Sequence, residues 1–176
     1  MILSDKDLMK FINSKKLIFR PSISNAQIRS NHIDLHLSSK ILKYKTKLID
    51  LHHSKLSKVK EIVINKDIWY KLKPWEFILW STLEEVEIPN GYFWFIETKG
   101  NIARAWIQAH NSDWHIDPWF KWNITLEIKN NANHSIIIYP YMLFVQIYIF
   151  ENSSLSLNPY QGKYQNQKGA TIYEKD

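Results

Sequence analysis

Alternation of apolar and polar residues with a period of two constrains the fold of this chain more than any other feature of its sequence. From Ile33 onward the alternation recurs in short segments separated by Pro, Asn or Gly: HIDLHLSS, ILKYKTKLIDL, EIVINKD, WYKLKPWEFILW, EEVEIP, YFWFIET, NITLEIKN, SIIIYP and MLFVQIYIF. Successive side chains of a strand point to opposite faces, so such alternation is typical of half-buried strands. Many short strands with turn residues between them predict a mainly β fold, either a sandwich or a barrel.

Two segments depart from this period and predict short helices. At the start, Ser4 is in the N-cap position before DKDLMKFINSKKL, whose apolar residues are at helical spacing. The segment KGNIARAWIQAH has helical spacing that begins near Gly100 and Asn101. The polar C-terminal segment, about residues 159–176, is expected to be mobile when no ligand is bound.

The length of 176 residues is that of one domain, so residues 1–176 are expected to fold around a single core. No run of about 18 apolar residues is present to span a bilayer. The first residues also lack the apolar core and the small-residue cleavage site of a signal peptide. The sequence therefore predicts a cytoplasmic protein with no membrane partner.

Charge and cysteine content restrict the partners and the chemistry. Lys and Arg number 23 against 17 Asp and Glu, and the net charge of +6 suits an anionic partner. The chain has no cysteine, which excludes disulfides and every thiolate zinc site, including the centre that zinc-dependent nucleobase deaminases use. Any hydrolytic reaction here must proceed without that device.

The eight tryptophans, all between residues 69 and 122, have two interpretations. Aromatic rings among lysines can stack on single-stranded bases, which predicts an affinity for oligonucleotides that falls steeply with salt. They can also pack in the core, at a subunit interface or around a pocket, and their positions within alternating strands favour packing. We therefore expect no nucleic-acid partner.

The segment NITLEIKN raises the question of what Glu127 faces. Alternation sets Ile124 and Leu126 on one side of the strand and Thr125 and Glu127 on the other. From the residues alone, that second face is either solvated or part of a site.

Six short motifs follow one another along the chain: ILSDKDLMKFI at the start, IDLHLSSK at 33–40, KGNIARA at 99–105, IDPWF at 116–120, TLEIKN at 125–130 and KYQNQKGA at 163–170. In the same order they resemble the dCTP deaminase and dUTPase superfamily, on the dCTP deaminase side. Its segments read (V/I)D(V/L)RL, RSSLARL, IDPGW or IDPGF, VLEFYN and KYxxQxGA. The resemblance covers nearly the full chain and implies a dUTPase-like distorted β-barrel or jelly-roll fold. It also implies a homotrimer with active sites at subunit boundaries.

The resemblance implies that Glu127 is catalytic, because it matches the glutamate that positions and deprotonates the water attacking C4 of cytosine. A partly buried carboxylate can both take and return a proton near neutral pH, and the step needs no metal. Arg104 matches the arginine that orients this glutamate through a forked geometry that lysine cannot copy. His110 aligns with a histidine in the loop that closes over the base.

Phosphate binding is implied at the start of the short internal helix. Lys99, Gly100 and Asn101 match an Arg-Ser-Ser sequence, where backbone N–H groups favour phosphate oxygens. Both serine hydroxyls are absent in this chain. Asn101 restores one polar group, and Lys99 keeps a cation.

The sugar and base pocket is implied at two other motifs. Asp117 matches an aspartate that accepts the 3'-hydroxyl of deoxyribose, although a turn-forming role before Pro118 is the alternative. Ile116, Thr125 and Leu126 are expected to line the pocket, largely through backbone groups.

The C-terminal segment is implied to close over the bound triphosphate. Tyr160, Lys163 and Gln167 match the tyrosine, lysine and glutamine of the family's tail. Ordering such a tail on a polyanion excludes water from the reaction. A solvated polar tail is the alternative.

Four residues depart from the family's pattern near the pyrimidine. Trp119 and Trp122 replace glycines of the IDPGWxG turn, Asp113 replaces a small residue, and His115 replaces a basic one. Gly to Trp is a severe change wherever the backbone needs a positive φ or a ligand approaches closely. We therefore expect a reshaped base pocket.

Three functions remain open at this point. The first is deamination of a deoxycytidine nucleotide, dCTP and water giving dUTP and ammonia, with Mg²⁺ carried on the phosphates and no zinc. The second is dUTP hydrolysis, alone or coupled to deamination, for which Asp34 is a candidate to bind the attacking water. The third is a nucleotide-binding homologue with altered catalysis.

Overall fold

Strands are the main regular secondary structure of the protein. The computed structural model describes residues 1–52 and 58–174, and all elements named below lie within them. The strands are β1 Ile18–Arg20, β2 Ile33–His36, β3 Lys40–Tyr44, β4 Val59–Val63, β5 Tyr70–Leu72, β6 Phe77–Glu87, β7 Tyr92–Thr98, β8 Ile107–Gln108, β9 His115–Ile116, β10 Lys121–Asn130, β11 Ile136–Ile138 and β12 Leu143–Glu151. The α-helices are α1 Asp5–Asn13 and α2 Gly100–Ala103. The prediction of a mainly β fold with two short helices is confirmed.

The strands form two large antiparallel sheets and one small one. The first sheet has the order β4-β3-β6-β10-β8, with β1 also paired to β6, and the second has the order β2-β12-β7-β9. Strands β11 and β5 form the small sheet. The sheets have free edges and do not close on themselves in the described part of the chain, so the arrangement is a distorted jelly roll.

One hydrophobic core lies between the two large sheets. Leu126 and Ile128 of β10 are fully buried, as are Val145 and Ile147 of β12. The alternation predicted for residues 124–129 is therefore correct, since the face of β10 opposite Glu127 packs in the core.

The tryptophans divide between the core and the surface. Trp80 and Trp94 are fully buried, whereas Trp106 is 67% exposed and Trp75 is 63% exposed. Packing is thus confirmed for the first pair.

Two boundaries differ from the sequence prediction. WYKLKPWEFILW and EEVEIP were expected to contribute separate strands, but β6 runs without a break from Phe77 to Glu87 because no turn residue interrupts it. Helix α2 is a single turn, although helical spacing continues to Ala109. Residues 107–108 instead pair with the end of β10 as β8.

Candidate active site

Strand β10 carries the residues around which the candidate site forms. It pairs with β6 along most of its length, and the register shifts between Asn123 and Thr125. The extra residues lie on β6, where four steps from Glu85 to Ser81 oppose two steps from Asn123 to Thr125, and β10 keeps its alternation. Ile124, Thr125 and Glu127 of β10 all contribute to the wall of one cavity.

This cavity has a volume of about 560 Å³ and lies between β10, the loop before it and the C-terminal tail. Its size is that of a small-molecule site. Its walls are mostly apolar and aromatic, with a few polar groups. They include Tyr44, Phe77, Leu79, Ile96, Asp113, His115, Ile116, Asp117, Phe120, Ile124, Thr125, Glu127, Tyr160, Gly162, Lys163, Tyr164, Gln167, Thr171, Ile172 and Tyr173.

Glu127 is half-buried in the wall of the cavity. Its Oε2 accepts a hydrogen bond from the backbone N–H of Ser112 at 3.3 Å. Burial raises the pKa of the Glu127 carboxyl above its ordinary value of 4.5, and the nearby Asp113 carboxylate acts in the same direction. A carboxyl in this state can accept a proton and return it, and the polar face of β10 therefore lines a cavity at Glu127 and is not simply solvated.

Asp117 and Ile116 line the cavity as the sequence predicts. The backbone of Asp117 also forms the turn that the alternative proposed, since its carbonyl accepts from Phe120 N–H at 3.2 Å. Its carboxylate makes no hydrogen bond to any residue within 1–52 or 58–174. The two readings are compatible, because the turn uses the main chain and leaves the side chain to face the cavity.

Thr125 and Leu126 have different surroundings. Thr125 lines the cavity, and its Oγ1 accepts from the backbone N–H of Thr171 at 3.1 Å. Leu126 is fully buried in the core, so its side chain does not reach the cavity. Only its backbone is available for the contact that the resemblance implies.

The three predicted tail residues all line the cavity. Tyr160 packs against Phe120 with ring centroids 6.0 Å apart, and Gln167 Nε2 donates to the carbonyl of Asn123 at 2.6 Å. The Lys163 ammonium lies 5.6 Å from the ring centroid of Tyr164. The structure thus seats the tail, up to residue 174, over the cavity; its mobility stays a prediction, and residues 175–176 lie outside the described part.

The phosphate motif and Arg104 lie apart from this cavity. Lys99 binds the fully buried carboxylate of Asp34, which also accepts from Arg29 Nε at 3.1 Å. Gly100, Asn101 and Arg104 are exposed, and none of them lines the cavity. The Arg104 guanidinium makes no hydrogen bond or ion pair within the residues that the structure describes. The predicted contact between Arg104 and Glu127 is therefore absent within this single chain.

The backbone of His110 lies beside that of Glu127, but the His110 ring contacts a different residue. The two residues form an isolated parallel bridge. The ring instead places Nε2 3.2 Å from the Glu97 carboxylate, and its buried Nδ1 has no partner in the described residues. His110 does not line the cavity.

The two family glycines replaced by tryptophan do not reshape the base pocket as expected. Trp119 and Trp122 keep the left-handed backbone, with φ of +73° and +93°, yet neither side chain lines the cavity. Asp113 and His115 do line it, and they face each other at 3.4 Å. Of the four departures from the family pattern, Asp113 and His115 therefore contribute to the cavity wall, while the two tryptophans lie outside it.

Sequence reasoning missed several residues of the cavity wall. Tyr44 of β3 lines it and accepts from the backbone N–H of Tyr173 at 2.9 Å. Tyr164 and Thr171 join it from the tail. The alternation in ILKYKTK does not predict that Tyr44 lines a cavity, because this tyrosine becomes part of the cavity wall only through its contact with the docked tail.

Two further properties concern metals and membranes. Within residues 1–52 and 58–174, no group of three or more His, Asp or Glu side chains is arranged to hold a metal ion. Among the same residues, no helix has the length and apolar character needed to cross a membrane.

Comparison with known proteins agrees with this geometry. The family profile described as dCTP deaminase-like matches residues 2–152. A Persephonella marina protein named dCTP deaminase, dUMP-forming, is 32% identical over 97% of this chain and 95% of its own length. A Buchnera aphidicola subsp. Baizongia pistaciae protein named dCTP deaminase is 32% identical over 100% of this chain and 99% of its own.

A solved structure shows the same fold. The crystal structure of 2'-deoxycytidine 5'-triphosphate deaminase from Agrobacterium tumefaciens matches with a TM-score of 0.66 at 16% identity, over 84% of this chain and 48% of that one. The chain is therefore a β protein with the fold of a deoxynucleotide deaminase. It belongs to the dCTP deaminase-like family, which confirms the resemblance seen in its motifs.

Proposed function

We propose that the chain is a cytoplasmic enzyme of pyrimidine deoxynucleotide metabolism that converts dCTP and water to dUTP and ammonia. The observation that carries this proposal is the half-buried Glu127 carboxylate in the wall of a nucleotide-sized cavity beneath the tail. Relatives named dCTP deaminase, aligned over nearly the whole chain, support the choice of substrate.

Glu127 moves the proton that the reaction requires. It takes one proton from water as the water oxygen bonds to C4, and it delivers that proton to N3 of the ring. The second proton of the water, by then on the C4 hydroxyl, passes to the amino group. The bond between C4 and this nitrogen breaks, ammonia leaves and C4 becomes a carbonyl. Burial suits Glu127 to this role because it raises the pKa of the carboxyl.

The mechanism is proposed to need no zinc. The chain lacks the cysteines that zinc-dependent nucleobase deaminases use to bind the metal. Mg²⁺ is proposed to arrive with the substrate, bound to its phosphates. Lys163 and the other tail donors are suited to the phosphate oxygens, since an ammonium presents three N–H groups.

The site is proposed to be completed by a second subunit in a homotrimer. Lys99 directly precedes α2 and Arg104 directly follows it; neither lines the cavity of its own chain, and Arg104 is exposed. A neighbouring copy that presents α2 to the cavity would bring an arginine to Glu127, as the family pattern implies. The guanidinium would then keep the carboxylate oriented through charge-assisted hydrogen bonds.

The Glu127→Gln variant tests the reaction. Ammonia release from dCTP is expected to fall by about 10²- to 10⁴-fold, because the amide cannot take the proton. Glu61→Gln is the matched control, since Glu61 is more than half exposed on β4, far from any proposed role. The proposal fails if Glu127→Gln retains ammonia release, or if the wild type releases none from any cytosine nucleotide.

Mixing two inactive variants tests the shared site. In trimers formed from equal amounts of Glu127→Gln and Arg104→Ala, each site between subunits takes its glutamate from one subunit and its arginine from another. About one site in four then contains both the native Glu127 and the native Arg104. Mixed and refolded protein is therefore expected to regain about a quarter of the wild-type activity. A site contained within one chain would regain none.

A second candidate is the coupled release of pyrophosphate to give dUMP. It is favoured by the P. marina relative, which is named dUMP-forming. Asp34, the residue considered for this step, is fully buried and bound by Lys99 and Arg29, and it does not line the cavity. Incubation with dCTP and separately with dUTP, followed by assays of ammonia and pyrophosphate, separates the two reactions.

A further inference from the structure

The C-terminal tail is hydrogen-bonded along the first half of β10. Gln165 joins the tail to the start of β10, as its Oε1 accepts from Lys121 N–H at 2.8 Å. Further along, Gly169 N–H donates to Asn123 Oδ1 at 2.9 Å, and Thr171 N–H donates to Thr125 Oγ1 at 3.1 Å. These contacts are within one chain and involve no ligand.

Trp122 lies at the centre of this contact, and its backbone conformation is one that residues other than glycine rarely adopt. Its φ is +93°, in the left-handed region that favours glycine. Its backbone bridges to Gln167, and its indole Nε1 donates to Asn166 Oδ1 at 2.5 Å. The Lys168 ammonium lies 5.8 Å from the ring centroid. The strained residue therefore contacts three successive tail residues.

Trp119 provides an internal comparison. It has the same kind of backbone, with φ of +73°, and is 44% exposed. Its carbonyl accepts from Gln165 Nε2 at 2.6 Å, a contact that any residue at this position would make. Its indole makes no hydrogen bond to a residue that the structure describes. Of these two tryptophans, only Trp122 forms a side-chain hydrogen bond with a described residue of the tail.

We propose that Trp122 is a positioning residue that keeps the tail docked over the cavity before any nucleotide binds. A glycine at this position would relieve the backbone but give the tail no side chain to bind. The indole N–H and ring add contacts that are independent of the ligand. The tail residues Tyr160, Lys163 and Gln167 are thereby held over the cavity in the free protein.

Amide hydrogen exchange of the free protein tests this inference, since tail amides exchange when the tail is released. In Trp122→Phe, which keeps the ring but removes the N–H donor, peptides covering residues 165–173 are expected to exchange about five- to tenfold faster. Trp122→Gly should exchange at least as fast. Peptides from β6 should be unchanged, which separates loss of the tail contact from loss of the fold.

Trp119→Gly is the matched control, because it relieves the same backbone conformation without removing an indole contact to the tail. Its tail peptides should exchange at the wild-type rate. The inference is overturned if Trp119→Gly and Trp122→Gly accelerate exchange alike, or if neither Trp122 variant does. Asn166→Gly, which is compatible with the φ of +63° at this position, should match Trp122→Phe, and the double variant should add nothing to either, because all three remove the same hydrogen bond.

The consequence for catalysis rests on the proposed function. If the tail closes over a nucleotide, the Trp122 variants should raise KM for dCTP, because part of the binding free energy is then spent on docking the tail. The kcat at saturating dCTP should be unchanged. Exchange is measured without nucleotide, so the failure of the proposed reaction would leave the docking result standing.

Discussion

Glu84 holds three hydrogen-bond donors inside the fold, and its replacement by alanine is expected to destabilise the protein strongly. The residue is 2% exposed. Its Oε1 accepts from Gln27 Nε2 at 3.0 Å and lies 2.6 Å from His36 Nδ1, while its Oε2 accepts from His36 N–H at 2.9 Å. In Glu84→Ala one Gln27 N–H and the His36 backbone N–H lose their acceptor, whereas the His36 ring is partly exposed and can turn to water. Each buried donor left unpaired costs about 1–3 kcal/mol, so the expected loss is roughly 2–6 kcal/mol.

Thermal unfolding measures this loss. For a domain of this size, 1 kcal/mol shifts Tm by about 2–4 °C, so Glu84→Ala should lower Tm by at least about 4 °C. The control is Glu85→Ala on the same strand, since Glu85 makes no side-chain hydrogen bond or ion pair within the described ranges and should shift stability by no more than about 0.5 kcal/mol. Glu84→Gln keeps one acceptor oxygen and should fall between the two. Equal Tm values for Glu84→Ala and Glu85→Ala would refute the reasoning.

Four other predictions follow from the structure. Burial raises the pKa of Glu127, so the acidic limb of the kcat/KM profile should have its midpoint above 4.5, and a midpoint at or below 4.5 would contradict the assignment. The folded state binds the Glu127 proton more tightly than the unfolded chain does, so the stability that this proton contributes below pH 4.5 is lost as the pH rises through the pKa of the folded state. Glu127→Gln should therefore raise Tm at pH 7, and this gain in Tm should vanish below pH 4.5. Gly100→Ser should leave Tm unchanged, because a Cβ there meets no atom within 4 Å and φ is ordinary. Tyr44→Phe removes the acceptor of Tyr173 N–H, so exchange of that amide should rise about fivefold, with no change in core peptides.

The sequence predicts those parts of the site that depend on local alternation or on motif order. Alternation correctly puts Leu126 in the core and Glu127 on the opposite face, because the strand period is fixed by backbone geometry. The order of the motifs correctly predicts that Asp117 and Gln167 line the same cavity, although 50 residues separate them in the chain. Periodicity alone gives no reason to bring these two together.

Features that depend on tertiary or quaternary contact were not predictable in this way. Tyr44 becomes a wall only because the end of the tail docks on it. Trp119 and Trp122 were expected to reshape the base pocket, but their side chains do not line the cavity. The glycine motif that they replace does not show in which direction a new side chain points. Arg104 matches a site residue by motif, yet it is exposed and apart from Glu127 in the single chain. A motif match gives no distance between the residues that it names, so the separation of Arg104 from Glu127 in the single chain is visible only in the structure.

The first half of β10 links the cavity to the tail physically. Thr125 lines the cavity, and its Oγ1 accepts from the backbone N–H of Thr171 at 3.1 Å. Two residues earlier, Asn123 Oδ1 accepts from Gly169 N–H at 2.9 Å. Both side chains are within four residues of Glu127 on one strand. A change that displaces this part of β10 is therefore expected to alter the cavity wall and release the tail together.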